Sequence, residues 1–485
     1  MLALLQVGNV NAKIVGDLTQ SIIDDLSASM SYKTNEYNGY TFVEVEYHLF
    51  NRLQQSLPTG LCSNAINVLR KHDIEYEIVD KRTTPDKTAQ LKLHEVTPYK
   101  FQKTIINDAI TSQRFVIQVA TGGGKTVIAA AILAKLNMKS MFVVHTGDLF
   151  EQAYDELTRL LKIPIGRIGG GLCDIQQINV VMIQTVHAVI GKAYIPFDDV
   201  EKDQMKDDDI VQKSYQRNKD ITKFIQSVEC VLIDECHHLR ADSYIAVMKA
   251  CKTAFYRGGL SATPCNEDGR DIILQAYAGR IIGKITASYL IRHKFLTPPK
   301  IYYLCGTKNK QYKFRRKTYR SIYKTYIVNS NFRNTLIVDC VRRLRELNKT
   351  VLITVTMKNH GKKLLKLLSD EKIDAEFIFS GVHKLKRKEH IERVRQRTLG
   401  VIIGTSLADE GLNIPSLDSL ILAGGGKSPT RMIQRIGRTL RKADGKDYSI
   451  VIDFKDNVRY LTGHYKKRRA ICEQEDAFEI IDCFE

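Results

Sequence analysis

The chain has 485 residues, 44% hydrophobic and 26% charged, with 73 Lys/Arg against 54 Asp/Glu and a net charge of +19. That length predicts two or three domains, each able to bury its own core, and the composition is ordinary for a soluble globular protein. "MLALLQV" is too short for a signal peptide, no apolar run could span a membrane, and ten cysteines without a C-x-x-C pair indicate neither zinc nor disulfides, so a reducing cytoplasm is expected.

Up to about residue 90 the pattern is mixed. "TFVEVEYHLF" alternates like a half-exposed strand, and "GLCSNAINVLRKHDIEYEIVD" reads as a helix followed by a strand, so residues 1–90 are expected to be a small α+β accessory domain. From Phe115 onward, short apolar runs ("RFVIQVA", "MFVVHT", "INVVMIQT", "ECVLIDE") alternate with amphipathic stretches, as for strands of a parallel sheet buried on both faces. A second such series ("TVLITVT", "AEFIFSG", "LGVIIGTS", "SLILAG", "YSIVIDF") follows residue 300. The expected fold class is therefore α/β, with one domain over 91–297, a second over 298–485, and a junction near Pro298-Pro299. The polar segment 191–227, with "DDVEKDQMKDDD", reads as a surface insertion.

Three stretches carry chemistry. In "VIQVATGGGKTVIAAAIL" a strand, a glycine loop and a helix succeed one another, although Val119 stands where the usual G-x-x-x-x-G-K-[ST] pattern begins. Gly122, Gly123 and Gly124 can still curve backbone N–H groups around phosphates, with Thr121 leading into the loop. Lys125 would reach the β- and γ-phosphates, Thr126 would ligate Mg²⁺, and the helix would add its N-terminal dipole. "ECVLIDECHHL" puts Asp234-Glu235 at the end of an apolar strand, Asp234 to hold the metal and Glu235 to take a proton from attacking water, with His237 the next contact. In "TRMIQRIGRTLRKADG" the arginines 435, 438 and 441 recur three apart, which predicts one helical face able to stabilise charge on a transferring phosphoryl group.

Residues 301–400 hold 25 Lys/Arg against 8 Asp/Glu, which points to a polyanionic partner such as nucleic acid. "KNKQYKFRRKTYRSIYK" interleaves cations, Lys308, Lys310, Lys313, Arg315 and Arg316 among them, with Tyr312, Phe314, Tyr319 and Tyr323. The cations suit phosphates, and the rings suit core packing slightly better than base stacking. "HKLKRKEHIERVRQR" is a second, weaker basic face, interrupted by Glu389 and Glu392.

Taken in order, these residues resemble helicase superfamily two, of the branch that includes XPB, restriction-enzyme translocases and the phage helicase UvsW. The resemblance runs from Thr97 to about Arg469. It implies two RecA-like domains in tandem and makes Gln102 the adenine-reading residue. It makes "ATGGGKT" motif I and "DECH" motif II, with cysteine where many members carry alanine. It assigns Thr146, Gly170, Thr185 and Thr405 to the nucleic-acid strand, and Ser261 and Thr263 of "LSATP" to coupling hydrolysis with grip. Gly411 and Asn413 would face the nucleotide, Asn413 standing where an aspartate is common. Gln434, Arg438 and Arg441 would complete the site, the two arginines as fingers. The resemblance further implies an ATP hydrolase using ATP and Mg²⁺, acting as a monomer on single-stranded, forked or branched DNA. Such a protein would work beside recombination or replication proteins, with the 1–90 domain engaging DNA. An RNA helicase, a double-strand translocase subunit and a non-catalytic nucleic-acid binder are the alternatives.

Overall fold

The computed structural model describes residues 2–37, 39–86, 88–193, 209–265, 269–307, 318–379, 381–405, 417–426 and 428–483. They fall into two compact units, one of Met1–Val119 with Gly124–Lys284, the other of Ala120–Gly123 with Ile285–Glu485. Each large sheet is the parallel, helix-covered RecA-like kind, save for the antiparallel edge strand Leu172–Asp174 of the first.

The first unit is built on an eight-stranded sheet. Its spatial order is Leu172–Asp174, Ile165–Gly169, Ile178–Met182, Ser140–Val144, Cys230–Asp234, Tyr256–Ser261, Arg114–Val119, Arg280–Ile285. Ser140–Val144 is buried at every position, which is why its sequence shows no polar alternation. Cys230–Asp234, Tyr256–Ser261 and Arg114–Val119 are parallel neighbours, paired Asp234 to Leu260 and Ser261 to Gln118. The glycine loop, the acid pair and the Ser-Ala-Thr turn each follow the carboxyl end of one of these three strands. Parallel pairing therefore gathers segments more than a hundred residues apart on the edge where open α/β sheets bind ligands.

Within the same unit a four-stranded sheet runs in the order Ser56–Pro58, Asn11–Val15, Leu2–Val7, Glu75–Asp80, with the helices Gln20–Ser29 and Cys62–Lys71. Its Leu5, Ile14, Leu26 and Leu61 belong to one continuous core with Val116, Val231, Ile273 and Tyr277 of the larger sheet and its helices. The amide of Gln275 donates to Asn64 at 2.9 Å across that junction. A separate two-stranded ribbon, Ser31–Tyr37 against Phe42–His48, leaves this sheet.

The segment expected as a surface insertion is, in its second half, a 19-residue helix, Asp209–Ser227. Ile221, Phe224 and Ile225, spaced i, i+3, i+4, are buried in the first unit's core. An apolar stripe beneath a polar composition accounts for the difference. Residues 194–208 lie outside the described ones.

The second unit is a seven-stranded sheet, parallel throughout, ordered Ala375–Ile378, Val401–Gly404, Val351–Thr354, Ser419–Ile421, Ser449–Lys455, Pro299–Cys305, Glu479–Cys483. Its core includes Ile337, Val341, Ile353, Ile403 and Phe454. Among the described residues, no helix is long and apolar enough to cross a membrane.

Candidate functional site

Val119 ends its strand with no exposed surface, so an apolar side chain fills the core where the usual pattern has glycine. The loop then turns, with Gly123 N donating to Ala120 O at 3.0 Å, and Gly122 and Gly124 adopt φ of 88° and 82°. Gly124 is needed twice over: its φ is left-handed, and a Cβ there would lie 2.5 Å from Gln102 Nε2. It forms the N-cap of the helix Lys125–Leu136, placing Lys125 and Thr126 in the first turn. Gln102 is itself buried, its Oε1 accepting from Tyr99 N at 2.8 Å to box the start of the helix Lys100–Ser112. The expected adenine reader therefore braces the phosphate-loop glycine from behind.

Lys125 Nζ lies 2.7 Å from Glu235 Oε1, with both side chains about five-sixths covered (16% and 14% exposed). The other carboxylate oxygen of Glu235 accepts from Ser261 Oγ at 3.2 Å and lies 3.3 Å from His237 Nδ1. Ser261 Oγ also meets His237 Nδ1 at 3.2 Å and accepts from Thr263 N at 3.2 Å. Asp234 Oδ1 accepts from Glu235 N at 3.0 Å. One fully buried serine thus joins the acid of the strand end, the following histidine and the next turn.

Electrostatics and backbone both mark this cluster. Burial lifts the Asp234 carboxyl to about 6, and the Glu235 charge beside it adds to the rise. For Glu235 burial works the same way, but Lys125 and His237 outweigh it and hold the carboxyl well below its ordinary range. Burial opposes the charge on Lys125, and the two carboxylates more than restore it. Glu235 also sits in the left-handed region, at φ 48° and ψ 53°. That strain costs roughly 1–3 kcal/mol, and residues held so concentrate at functional sites. Perturbed carboxyls with distinct partners at a sheet's carboxyl edge are what a proton-transfer site requires.

Arg240 and the close packing of Gly259 on Cys236 escaped sequence reasoning. Arg240, buried, donates to His237 O at 3.1 Å and Pro264 O at 2.7 Å and pairs with Asp271, tying the acid turn to the Ser-Ala-Thr turn. Cys236 faces Gly259, where an added Cβ would approach the Cys236 Cβ to 2.5 Å, so position 259 has no room for a side chain. A lone arginine has no pattern to announce it, whereas the Gly258-Gly259 pair inside a strand was a readable sign of close approach.

The remaining expected residues separate by position. Thr146 is the N-cap of the helix Gly147–Leu161, its hydroxyl accepting from Leu149 N at 3.3 Å. Thr185 lies on the helix Ile183–Ala193 rather than on the strand before it. Gly170 tops the tight turn between Ile165–Gly169 and Leu172–Asp174, at φ 60° with open space around it. Thr405 is buried just after the strand Val401–Gly404. Lys308, Lys310, Lys313, Arg315, Arg316, Gly411 and Asn413 lie outside the described residues.

In the second unit, Gln434, Arg435 and Arg438 ride the helix Pro429–Thr439, capped by Ser428. Arg441 does not share that face. The helix stops at Leu440, whose carbonyl accepts from Thr297 N at 2.8 Å while Arg441 bridges Leu296. The period of three in the sequence runs past the helix because this strand-like pairing takes over the chain. Arg441 is half-buried, its Nε making no hydrogen bond among the described residues, and burial lowers its pKa with Arg395 adding to the effect. Tyr323 is buried and donates to Gly424 O at 2.7 Å, as the core reading expects, whereas Tyr319 is 41% exposed and Tyr312 and Phe314 lie outside the described residues. On the second basic face, Arg393 meets Asp374 and Glu376, Arg395 meets Glu392 and Arg397 meets Asp418, so much of that charge is answered within the unit.

Residues 95–266 match the family model described as the res subunit of type III restriction enzymes, and residues 333–443 match the helicase conserved C-terminal domain. The chain is similar to putative helicase 22 of Sulfolobus islandicus filamentous virus, 26% identical over 75% of this chain and 65% of that protein. It is also similar to the ATP-dependent DNA helicase uvsW of Enterobacteria phage T4, 24% identical over 77% of this chain and 72% of the relative. The chain thus spans only part of each relative's length. Among solved structures, a fragment of a putative HsdR subunit of a type I restriction enzyme from Vibrio vulnificus shares the fold, with a TM-score of 0.57. Identity there is 18%, over 91% of this chain and 76% of that one.

Proposed function

We propose that this chain is an ATP-dependent DNA helicase or translocase that remodels branched DNA. The observation that carries the reading is the cluster at the carboxyl ends of three adjacent parallel strands, in which Lys125 pairs with Glu235 while Glu235, Ser261 and His237 contact one another. Lys125 is poised to leave Glu235 for a phosphate. Glu235, released from the ammonium, then becomes the acceptor for a proton of attacking water. Ser261 carries that change to Thr263 and the turn beyond it, a route by which hydrolysis reaches the nucleic-acid grip. Arg438 and Arg441, carried by the second unit, are the residues that would stabilise the transferring phosphoryl group.

Thr126 and Asp234 are the residues that would hold Mg²⁺. The fit rests on Asp234, a carboxyl whose ionisation is resisted by burial and by Glu235 and which a cation would relieve. Mg²⁺ bound there would neutralise charge on the β- and γ-phosphates.

The similarity to the ATP-dependent DNA helicase uvsW and the excess of cations support DNA as the track. The test is ATP turnover and strand separation measured with single-stranded, duplex, forked and four-way DNA and with matching RNA. Turnover stimulated by DNA, with unwinding or junction migration on branched substrates, is expected. Stimulation by RNA alone, or turnover indifferent to nucleic acid, contradicts the proposal.

A further inference from the structure

The ribbon Ser31–Tyr37/Phe42–His48 is unlike every other strand pair in the first unit, because it buries almost nothing. Seven residue pairs join its strands, from Ser31–His48 to Tyr37–Phe42, yet Phe42–His48 is exposed at six of its seven positions. A two-stranded ribbon bathed on both faces gains little from the hydrophobic effect and is marginal by itself. This one is stiffened by side chains across the ladder. Lys33 pairs with Glu44 at 3.2 Å, Ser31 donates to Glu46 at 2.7 Å, Tyr47 donates to Glu36 at 2.5 Å, and the rings of Tyr32 and Tyr47 stack at 5.4 Å. Its charges are spent on its own shaft.

The tip is different. From Tyr37 to Val43 there is no charged residue, and Tyr37, Tyr40 and Phe42 are 62%, 91% and 72% exposed. The rings of Tyr37 and Phe42 lie 5.4 Å apart, and with Tyr40 they keep most of their surface exposed at the end of the arm, giving up burial that elsewhere makes aromatic residues worth having. The arm is also firmly mounted. Tyr32 packs against the first unit's core, and the backbone of Lys33 lies beside Gly269, in the segment that follows the Ser261–Thr263 turn. At its foot a groove of about 500 Å³, lined by Asn11, Leu49, Asn51, Lys249, Lys252 and Tyr277 among others, contains no carboxylate.

We propose that this ribbon is a strand-separating pin, whose three tip rings stack on unpaired bases at a DNA junction while the lysine-lined groove at its foot follows the phosphates. The choice of occupant rests on charge and shape together. An uncharged ring cluster suits bases, which all present a π-face, and the acid-free cationic groove suits a polyanion. Tyr32, near the foot of the ribbon, packs on the core of the unit that carries Lys125 and Glu235. The inference rests on the function proposed above.

The test compares the full-length chain with a variant carrying Tyr37→Ala, Tyr40→Ala and Phe42→Ala, and with Tyr37→Phe plus Tyr40→Phe, which keeps the rings. The alanine variant is expected to melt within 2 °C of the parent, because no tip ring is in the core (an order-of-magnitude bound). Its ATP turnover on single-stranded DNA should stay within about twofold, while strands separated per ATP on a fork fall at least about tenfold; the phenylalanine variant should resemble the parent. Unchanged fork separation overturns the pin, as does an equal fall in turnover and separation. An arm independent of motor activity uses forked DNA with 5-iodouracil at the junction, irradiated without nucleotide. Crosslinks mapping to Tyr37, Tyr40 or Phe42 are expected, and their absence overturns the pin even if the motor reading stands. Should the parent show no turnover on DNA, the motor reading fails and the crosslinks alone judge the pin.

Discussion

Each large unit contains buried arginine or lysine paired with carboxylate, and the two kinds of pair are built for opposite ends. In the second unit Arg333, with no exposed surface, meets Asp456 at 2.6 Å, lies over the Phe454 ring and donates to Ala423 O. Arg468 grips Asp453 with two donors at 2.8 and 2.9 Å and gives a third to Gly426 O. Their donors go to fixed acceptors, several of them backbone carbonyls of the loop before the arginine-bearing helix. The Lys125–Glu235 pair keeps some surface, sits on strained backbone, and has a second carboxyl beside it that resists ionising. A closed pair holds a loop still; an open pair waits to exchange one partner for another. The difference lies in how many donors are already committed, more than in depth of burial.

The largest expected effect breaks the closed kind. Asp456→Ala strands the Arg333 charge and should cost about 3–5 kcal/mol in urea unfolding, whereas replacing both partners by Met and Leu should cost far less. A loss under about 1 kcal/mol for the single variant would erase the contrast.

A smaller effect separates the units by pH. Asp234 titrates near 6, above the usual 3.8, so its carboxyl binds a proton more readily folded than unfolded. Stability of the first unit should therefore fall as pH rises from about 4 to about 6 and stay lower above that. The full displacement would correspond to about 3 kcal/mol, reduced to about 1–2 by coupling to Glu235 and partial exposure. Asp234→Asn should accordingly unfold less readily than the parent at pH 7.5 and show no advantage at pH 4. An advantage independent of pH would mean that burial of the charge is not its source.

The smallest effect has the opposite sign. His360, buried with Nε2 3.0 Å from Asn334 Oδ1, is held down to about 3 by burial, with the charge of Arg333 adding to it. The unfolded imidazole takes up a proton below about 6.5 and the folded one does not, so the second unit loses stability as pH falls from 6.5 toward 3. His360→Gln should remove about 1 kcal/mol of that loss at pH 5.5, measured as the change in the pH slope of unfolding. A slope unchanged by the substitution would assign it to other groups.

Much of this was legible in the chain because it depends on local pattern. Apolar runs of four to six residues became the strands of both parallel sheets, and Gly124-Lys125-Thr126 followed by an alanine-rich stretch became a loop and helix start. Where long-range pairing decides, pattern misled. Arg441 leaves the helical face because Thr297 and Leu296 pair with Leu440 and Arg441 from far upstream. The helix Asp209–Ser227 was hidden because three buried side chains carry it beneath many polar ones. The acid pair could be named from sequence; that Ser261 would bridge Glu235 and His237 followed only from the register of three neighbouring strands.

The open pair is tested most directly by Glu235→Gln, which keeps shape and hydrogen bonding but removes the proton acceptor. ATP binding followed by a fluorescent nucleotide should remain within a few-fold of the parent, while single-turnover hydrolysis on DNA should fall by at least about a hundredfold. Hydrolysis at near-parental rate, with nucleotide bound normally, would contradict the role given to Glu235 and with it the purpose of the open pair.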